Sequence, residues 1–395
     1  MNSQEVFLKH LAQTSPHPLM IEVASAEGSY ITDTSGKKYL DFISGIAVSN
    51  IGHRHPKVVQ AIKAQVDKYM HVMAYGEFIQ GPQNQLAAKL NNILPEGLDT
   101  SYFVNSGTEA IEGALKLAKR VTGRTEIISC RGSYHGSTHG SLSISGNEVK
   151  KYAFRPLLPD VRFIKHNCLK GIDQITHRTA AVVIELIQGD AGVRIADQEY
   201  VRLLREKCTK TQTQLIVDEI QTGFGRTGKW FSFQHYNIVP DIMAIAKAFG
   251  GGMPIGAFVS NRAKMETLTH NPMLGHITTF GGHPVNCASA LANLHVIEEE
   301  NLIEAVEEKG QLLEQTISHV AIKEIRRKGL MFAVEFESSD IVQKIVEKLL
   351  KKGIISFWFL SCPDSFRLAP PLNISLDEIK SGGQLIKEVI EEVVS

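Results

Sequence analysis

The chain has 395 residues, of which 43% are apolar, and this length is enough to bury a large hydrophobic core and to form two domains. Lysine and arginine number 42 and so do aspartate and glutamate, which gives a formal net charge of zero. A nucleic acid or an anionic membrane needs a basic face on its protein partner, so this balance argues against both as partners.

The cysteines and the N-terminus predict a cytoplasmic protein. The five cysteines are widely spaced, odd in number and contain no Cys-x-x-Cys pair, which favours reduced thiols over disulfides or a zinc site. No apolar run approaches the roughly 20 residues of a membrane span. The first ten residues lack the apolar core of a signal peptide, and no arginine precedes Arg54, which argues against a mitochondrial transit peptide.

The first hundred residues predict a hairpin followed by two helices. Polar and apolar residues alternate over 27–48 on both sides of a Thr-Ser-Gly-Lys turn, which is typical of a hairpin. Pro56 suits the first turn of a helix, because apolar residues recur after it at helical spacing. A second helix is expected from Pro82 to Ile93.

From residue 101, short apolar runs alternate with helix-length segments, and helices are expected over 108–121 and 200–209. Near-continuous apolar strands alternating with helices indicate an α/β fold whose mainly parallel sheet is covered on both faces. Ligands of such sheets bind beyond the carboxyl ends of the strands. The candidate strands are 102–104, 126–129, 161–164, 180–184, 215–217, 242–245 and 256–259.

After about residue 284, the sequence changes to long charged helices, predicted over 285–315 and 341–352, with short strands at 330–336 and 366–368 and a last helix over 376–394. This pattern predicts a smaller α+β domain that the N-terminal hairpin completes. We therefore expect a large domain over residues 50–284 and a small domain built from 1–49 and 285–395.

Lys247 ends the apolar strand 242–245 and precedes three glycines, 250–252. A lysine at the end of a buried strand is desolvated, which lowers its pKa and lets it act as an amine nucleophile that forms a Schiff base. The glycines let the backbone approach a bulky ligand closely. Taken alone, the pattern fits a solvated surface lysine better, so the interpretation depends on the other motifs.

A candidate anion site follows the first of these strands. Asn105 to Ala110 opens a helix, and its backbone N–H groups with the hydroxyls of Ser106 and Thr108 can hold a phosphate. On this segment alone, an ordinary capping box between Ser106 and Glu109 is the better explanation.

Polar side chains also follow other strands. Asp218 can pair with a protonated ring nitrogen and Gln221 with a ring oxygen, whereas the alternative is a metal-binding or surface acidic pair. No second ligand cluster lies near Asp218 in sequence, so no metal is expected. Tyr134 can present a flat face to a planar ligand or simply pack, and His135 is better explained as a structural hydrogen-bonding group. Arg367, within a predicted strand, can grip a carboxylate or lie on the surface.

Six segments in this order resemble the class III (ω-amino acid) pyridoxal-phosphate (PLP) aminotransferases, over almost the whole chain. They are Gly52-His53-x-His55-Pro56, Ser106-Gly107-Thr108-Glu109-Ala110, Tyr134-His135-Gly136, Asp218-Glu219-Ile220-Gln221-Thr222-Gly223, Lys247-x-x-Gly250-Gly251-Gly252-x-Pro254-Ile255-Gly256 and Thr279-Phe280-Gly281-Gly282.

The resemblance implies fold type I, PLP as cofactor and a homodimer with active sites at the interface. It implies that Lys247 carries the cofactor and shuttles a proton, that Asp218 binds the ring nitrogen and that Gln221 binds the phenolic oxygen. Tyr134 would stack on the ring, with His135 and Glu185 also at the cofactor. The phosphate would be held by Ser106, Gly107, Thr108 and, from the neighbouring subunit, Thr279.

The nearest subfamilies are the acetylornithine, ornithine and 4-aminobutyrate aminotransferases. The segment around Ile46 matches them, and so does Arg367. They imply that Arg367 binds a substrate α-carboxylate, with Ile46 also at the substrate. Two positions depart from them. Ser137 stands where an arginine commonly binds a substrate carboxylate, and Asp190 replaces the glutamate that pairs with the arginine at position 367.

Losing an arginine fork removes roughly 1.5 to 3 kcal/mol, about one to two decades in affinity. Either the donor lacks this carboxylate or another cation replaces the arginine. The leading hypothesis is transfer of a terminal amino group from an ω-amino acid to a 2-oxo acid, with 2-oxoglutarate as acceptor. An ω-amine:pyruvate transaminase, a racemase or aminomutase of the same fold, and a non-enzymatic binding protein are the alternatives.

Overall fold

The computed structural model describes residues 2–74 and 76–395, and its centre is a seven-stranded sheet. The strand pairings make six strands parallel to one another, and one antiparallel to both of its neighbours. All seven strands predicted from the sequence are therefore confirmed, as is the mainly parallel sheet. In spatial order they are Thr100–Val104, Gly256–Ser260, Ile242–Ile245, Gln214–Asp218, Thr179–Ile184, Glu126–Cys130 and Val161–Ile164.

The antiparallel strand is Gly256–Ser260, which lies between Thr100–Val104 and Ile242–Ile245. A parallel crossover needs about a dozen residues or more and usually contains a helix. The connection over 246–255 contains only the 3₁₀ turn Lys247–Gly250, so the chain turns back along the preceding strand. As a result, Gly256 lies at the same edge of the sheet as the carboxyl ends of the parallel strands.

Alternate residues of the sheet belong to two separate cores. On strand Gln214–Asp218, Ile216 packs in one core with the helix Gly107–Thr122, whereas Leu215 and Val217 pack in the other. Successive side chains of a strand point to opposite faces, so a strand buried on both faces must be apolar throughout. This explains the continuous apolar runs in the sequence, and it leaves the strand ends as the places for polar groups.

Helices cover the sheet and the rest of the chain. The predicted helices beginning at Pro56 and near Pro82, and those within 108–121, 200–209, 341–352 and 376–394, are confirmed to within a few residues. The helices are Ser3–His10, Ser44–Ala47, Pro56–Val66, Gly81–Ile93, Gly107–Thr122, His139–Ser143, Leu169–Ile172, Gln198–Thr211, Arg262–Glu266, Pro284–Glu299, Val306–Ile317, Ser339–Lys352 and Leu376–Val394. The further 3₁₀ turns are Glu148–Lys150, Tyr152–Phe154, Ser232–His235 and Thr267–Thr269.

The prediction of one helix over 285–315 is wrong, because two helices, Pro284–Glu299 and Val306–Ile317, occupy this segment. Asn301 adopts a left-handed conformation with a φ of 50°. The next amide, that of Leu302, donates a 3.1 Å hydrogen bond to the carbonyl of Ile297. A left-handed residue followed by such a backward bond is a common helix terminator, and asparagine tolerates it better than most residues.

Three smaller sheets complete the fold. The predicted hairpin is confirmed, since Tyr30–Asp33 pairs antiparallel with Lys38–Asp41, and the latter pairs in parallel with Ile354–Ile355. The N-terminal and C-terminal segments therefore meet in one sheet, which Val23–Glu27 extends. The other two sheets are Glu324–Lys328, Met331–Glu335, Ser365–Leu368 and Phe357–Trp358, and the pair Ile187–Gln188 and Arg194–Ile195. Within residues 2–74 and 76–395, no helix combines the length and apolar character needed to cross a bilayer.

Candidate active site

A cavity of about 500 Å³ lies at the carboxyl ends of the parallel strands. Its volume falls in the range of roughly 300 to 1,000 Å³ that is typical of small-molecule sites. Most of the residues predicted from the sequence line it, because the strands that precede them end at a common edge of the sheet. They are Ser106, Gly107, Thr108, Tyr134, His135, Ser137, Glu185, Asp218, Gln221 and Lys247.

Lys247 follows the buried strand Ile242–Ile245 and has a left-handed backbone, with a φ of 48°. Desolvation lowers the pKa of its ammonium to about 8, and the positive charge of Arg367 acts in the same direction. The carboxylates of Asp218, Glu185 and Asp190 oppose this decrease. In a fraction of the molecules, the side chain of Lys247 is therefore the neutral, nucleophilic amine near neutral pH.

Asp218 ends the strand Gln214–Asp218 and is buried, with its carboxylate held from two directions. Its Oδ2 lies 2.7 Å from Nδ1 of His135, and its Oδ1 accepts a 3.0 Å hydrogen bond from the amide of Ile220. Burial lowers the pKa of His135, but the hydrogen bond to Asp218 and the negative charges of Asp218 and Glu185 together outweigh this, and the pKa is raised. The contact with His135 orients the carboxylate of Asp218 inside the cavity.

Glu185, directly after the strand Thr179–Ile184, fixes the backbone of the neighbouring loop. Its two carboxylate oxygens accept hydrogen bonds of 3.0 Å from the amide of Tyr134 and 3.2 Å from the amide of Gly189. Desolvation and the nearby charge of Asp218 raise the pKa of Glu185 to about 7. Glu185 therefore holds the loop that carries Tyr134.

The helix Gly107–Thr122 opens at the cavity with Ser106 as its N-cap residue. Three hydroxyls gather beside this N-terminus, since Oγ1 of Thr108 lies 2.8 Å from Oγ1 of Thr138 and 2.6 Å from Oγ of Ser141. A Cβ added to Gly136 would lie 2.5 Å from Oγ1 of Thr108, so only glycine lets this loop approach the helix. Backbone N–H groups, the helix dipole and hydroxyls together suit a phosphate.

Tyr134 and Gln221 lie at the walls of the cavity. The Tyr134 side chain is 40% exposed, and its hydroxyl lies 3.3 Å from Oγ of Ser137. A Cβ at Gly189 would collide with Oε1 of Gln221, so the glycine makes room for that amide. A planar ligand thus has an aromatic side chain and an amide available around the carboxylate of Asp218.

Arg367 and Asp190 contact each other next to the cavity. Nη2 of Arg367 lies 3.5 Å from Oδ1 of Asp190, and the guanidinium lies over the ring of Phe359, 4.3 Å from its centroid. Desolvation lowers the pKa of Arg367, although Asp190 opposes this. The Nε of Arg367 is buried and has no partner among the described residues, so the guanidinium retains donor capacity for a ligand.

Four predicted residues lie outside the lining of this cavity, namely Arg367 and Asp190, described above, and Thr279 and Ile46. Thr279 is exposed in the loop before Pro284, which fits its predicted role only in a second copy of the chain. Ile46 is 37% exposed, and in its segment Val48 lines the cavity instead. The backbone explains this difference, because Ser44, Ile46 and Ala47 all have positive φ values of 49° to 64° and turn the chain so that Val48 faces the site.

Several residues at or next to the cavity were not predicted from the sequence. Apolar side chains such as Val48, Ile187 and Ile220 carry no chemical signal that separates them from core residues. Lys150 was missed as well, although it lies 3.4 Å from Oδ2 of Asp190. The absence of arginine at position 137 was the available signal, since it prompts a search for a substitute cation.

The residues present fit PLP. The hydroxyl cluster at the helix N-terminus suits its phosphate, the carboxylate of Asp218 its pyridine nitrogen, and Lys247 its carbonyl group. Close packing of the glycines supports this fit, because a Cβ at Gly107 would lie 2.9 Å from the side chain of Ile220. Among the described residues, no group of three or more histidine, cysteine, aspartate or glutamate side chains could hold a metal ion.

Comparison with curated proteins gives relatives over nearly the whole chain. An acetylornithine aminotransferase of Methanocaldococcus jannaschii is 39% identical over 389 residues, which cover 95% of this chain and 94% of the relative. A [LysW]-aminoadipate semialdehyde/glutamate semialdehyde transaminase of Sulfolobus acidocaldarius is 35% identical, with coverage of 93% and 94%.

Solved structures with the same fold include the ornithine aminotransferase of Toxoplasma gondii, with a TM-score of 0.91, 28% identity and coverage of 99% of this chain and 94% of that one. An amine transaminase from an uncultivated Pseudomonas species in the PLP-bound form gives a TM-score of 0.88 at 27% identity, covering 97% of this chain and 99% of that one. The model of the family "Aminotransferase class-III" matches residues 11–390. The chain therefore belongs to the class III aminotransferases, and it is a PLP-dependent transaminase of fold type I.

Proposed function

We propose that the chain transfers the terminal amino group of an ω-amino acid, of the acetylornithine, ornithine or 4-aminobutyrate type, to 2-oxoglutarate. The observation that carries this proposal is the buried guanidinium of Arg367, which is close enough to Lys247 to lower its pKa and has an unpartnered Nε. A carboxylate bound there would lie beside the reacting amine, which is the position of the α-carboxylate of 2-oxoglutarate in the second half of the reaction. The names of the curated relatives support the same class of donor.

The side chains of the cavity have separate tasks in this reaction. When bound, PLP supplies an electron sink that stabilises a carbanion at the substrate carbon. Asp218 would hold the ring nitrogen in its protonated form, and the contact with His135 orients the Asp218 carboxylate. Nζ of Lys247 removes the proton from the carbon that carries the amino group, because its lowered pKa leaves it partly neutral.

Ser137 favours a second candidate function, that of an ω-amine:pyruvate transaminase. The side chain at this position is an exposed hydroxyl in the cavity wall and offers no charge to a donor carboxylate. A donor without a carboxylate would then be accepted as readily as one with it. The two candidates differ in their selectivity for donors.

We also infer a homodimer in which a second copy supplies Thr279 to each phosphate site. Support comes from exposed apolar side chains of the same loop, Met273, Leu274, Ile277 and Phe280, which are 50% to 77% exposed. A cytoplasmic location and the division into residues 50–284 and the two terminal segments remain part of this proposal. The free thiols of all five cysteines support the location, and the sheet shared by both termini supports the division.

The lowered pKa of Lys247 predicts a pH dependence for cofactor uptake. The neutral amine is the reacting species, so the rate at which cofactor-free protein binds PLP should rise about tenfold per pH unit below 8 and level off above about 8. Stopped-flow absorbance measures this rate. The same pH series with a simple alkylamine in place of the protein corrects for the ionisation of the cofactor itself.

Two variants should shift the pKa of Lys247 in opposite directions. Asp218→Asn removes a carboxylate that raises the pKa of Lys247, so the midpoint should move to lower pH, and turnover should be nearly abolished. Arg367→Gln removes a charge that lowers the pKa, so the midpoint should move to higher pH. A wild-type midpoint near the ordinary lysine value of 10.5 would contradict the desolvated site.

Thr279→Ala should weaken PLP binding about 10- to 100-fold, because a hydrogen bond to a charged phosphate contributes roughly 1.5 to 3 kcal/mol. The molecular mass in solution should remain that of a dimer. Thr269→Ala, an equally exposed change in the same region, serves as the control and should bind PLP normally.

Hybrid dimers test whether Thr279 acts across the interface. At limiting PLP, mixtures of Lys247→Ala and Thr279→Ala chains should regain activity, because one site of each hybrid then has both residues intact. If Thr279 acts within its own chain, no hybrid contains a complete site and activity stays low.

Spectra of the PLP form mixed with single amines test the donor class. Rapid loss of the absorbance band with N-acetylornithine, ornithine or 4-aminobutyrate, and slow loss with β-alanine and a simple monoamine, is the expected result. Equal or faster reaction with the monoamine would favour the amine transaminase. Release of a carbonyl product, with 2-oxoglutarate restoring the band, confirms transfer.

A further inference from the structure

A second cavity of about 230 Å³ adjoins the first and shares Tyr134 and Ser137 with it. Lys150 and Asp190 supply its charged groups, and Asn147 and His139 add polar ones. The shared residues stand at the boundary between the two cavities. A ligand whose reacting end lies at Lys247 can therefore extend past Tyr134 and Ser137 into this second cavity.

Lys150 places its ammonium between an aromatic ring and a carboxylate. Its Nζ lies 5.8 Å from the centroid of the Tyr134 ring and 3.4 Å from Oδ2 of Asp190. The side chain is 29% exposed, so it is ordered against the cavity wall but retains access to solvent. An ammonium carries three donors, and the long contact with Asp190 leaves donors free for a ligand.

Asp190 is shared between two cations and a hydroxyl. Its Oδ1 lies 3.5 Å from Arg367, and its Oδ2 accepts a 2.7 Å hydrogen bond from Oγ of Ser361 in addition to the contact with Lys150. The ion pair between Lys264 and Asp241, by comparison, measures 2.9 Å. One carboxylate thus holds two cations loosely, and the group of three keeps a net positive charge that a second carboxylate can neutralise.

We propose that this second cavity binds the carboxylate of the amino donor, and that Lys150 is the residue that holds it. This inference rests on the proposed function, since it assigns the donor of the same site to amines that carry a distal carboxylate. Lys150 then supplies the charge that Ser137 lacks. An ammonium is a point charge and imposes no bidentate geometry, so donors that present the carboxylate at different angles are accepted.

The test compares Lys150→Ala with the wild-type holoenzyme in the two half-reactions separately. For N-acetylornithine and 4-aminobutyrate, the donor concentration that gives half-maximal bleaching should rise about 10- to 100-fold. The value for a simple monoamine should be unchanged. Lys150→Arg should retain tight donor binding, and Ser137→Arg should restore it in the Lys150→Ala background.

Lys170→Ala, which removes an exposed lysine outside both cavities, is the matched control and should behave as the wild type. Equal losses for the monoamine and the carboxylated donors would overturn the proposal, because Lys150 would then act on the site as a whole. A loss confined to 2-oxoglutarate would also overturn it, by assigning the bound carboxylate to the acceptor. Unchanged donor binding in Lys150→Ala would overturn the proposal as well.

Calorimetry with pentanoate, a carboxylate that has no amino group, keeps this inference separate from the proposed function. The wild-type holoenzyme should bind pentanoate at least about tenfold more tightly than Lys150→Ala. If no amine reacts with the wild type but this difference is found, the proposed function fails and the carboxylate site stands. If carboxylated donors react but both proteins bind pentanoate and donors equally, the carboxylate site fails alone.

Discussion

Desolvation of the Lys247 ammonium at the end of an apolar strand is the constraint around which the site is arranged. Desolvation lowers its pKa to about 8, and the carboxylate of Asp218 offsets part of that cost. Asp218 is itself buried and relies on His135 and the amide of Ile220. Each group therefore depends on the next, and the parallel strands bring them together because their carboxyl ends meet at one edge.

Specificity depends on a separate set of charges beside this centre. Asp190 lies between Arg367 and Lys150 at distances of 3.5 and 3.4 Å, which are long for ion pairs. Tight pairing would satisfy both cations internally and leave nothing for a substrate. Loose pairing leaves hydrogen-bond donors of both cations available, so two carboxylates can be bound in turn without rearrangement of the site. The shorter side chain of aspartate, compared with the glutamate of related enzymes, fits this arrangement.

The sequence predicted the strands and the groups at their ends because both are local properties. A strand buried on both faces reads as an apolar run, so Asp218 and Lys247 stand out where such runs stop. Tertiary arrangements were less accessible. The helix break at Asn301 depends on a single left-handed residue, and the contact between Lys150 and Asp190 joins segments 40 residues apart. Neither feature leaves a periodic pattern in the sequence, and the apolar residues that line the cavity resemble core residues.

Reduction of the PLP-loaded protein with borohydride, followed by peptide mass spectrometry, tests the central claim most directly. Reduction fixes the cofactor on the lysine that carries it. We expect one modified peptide per chain, with the added mass on Lys247, and no modification in Lys247→Ala. Modification of Lys150 or of another lysine, with Lys247 unmodified, would contradict the role of the desolvated lysine in the whole site.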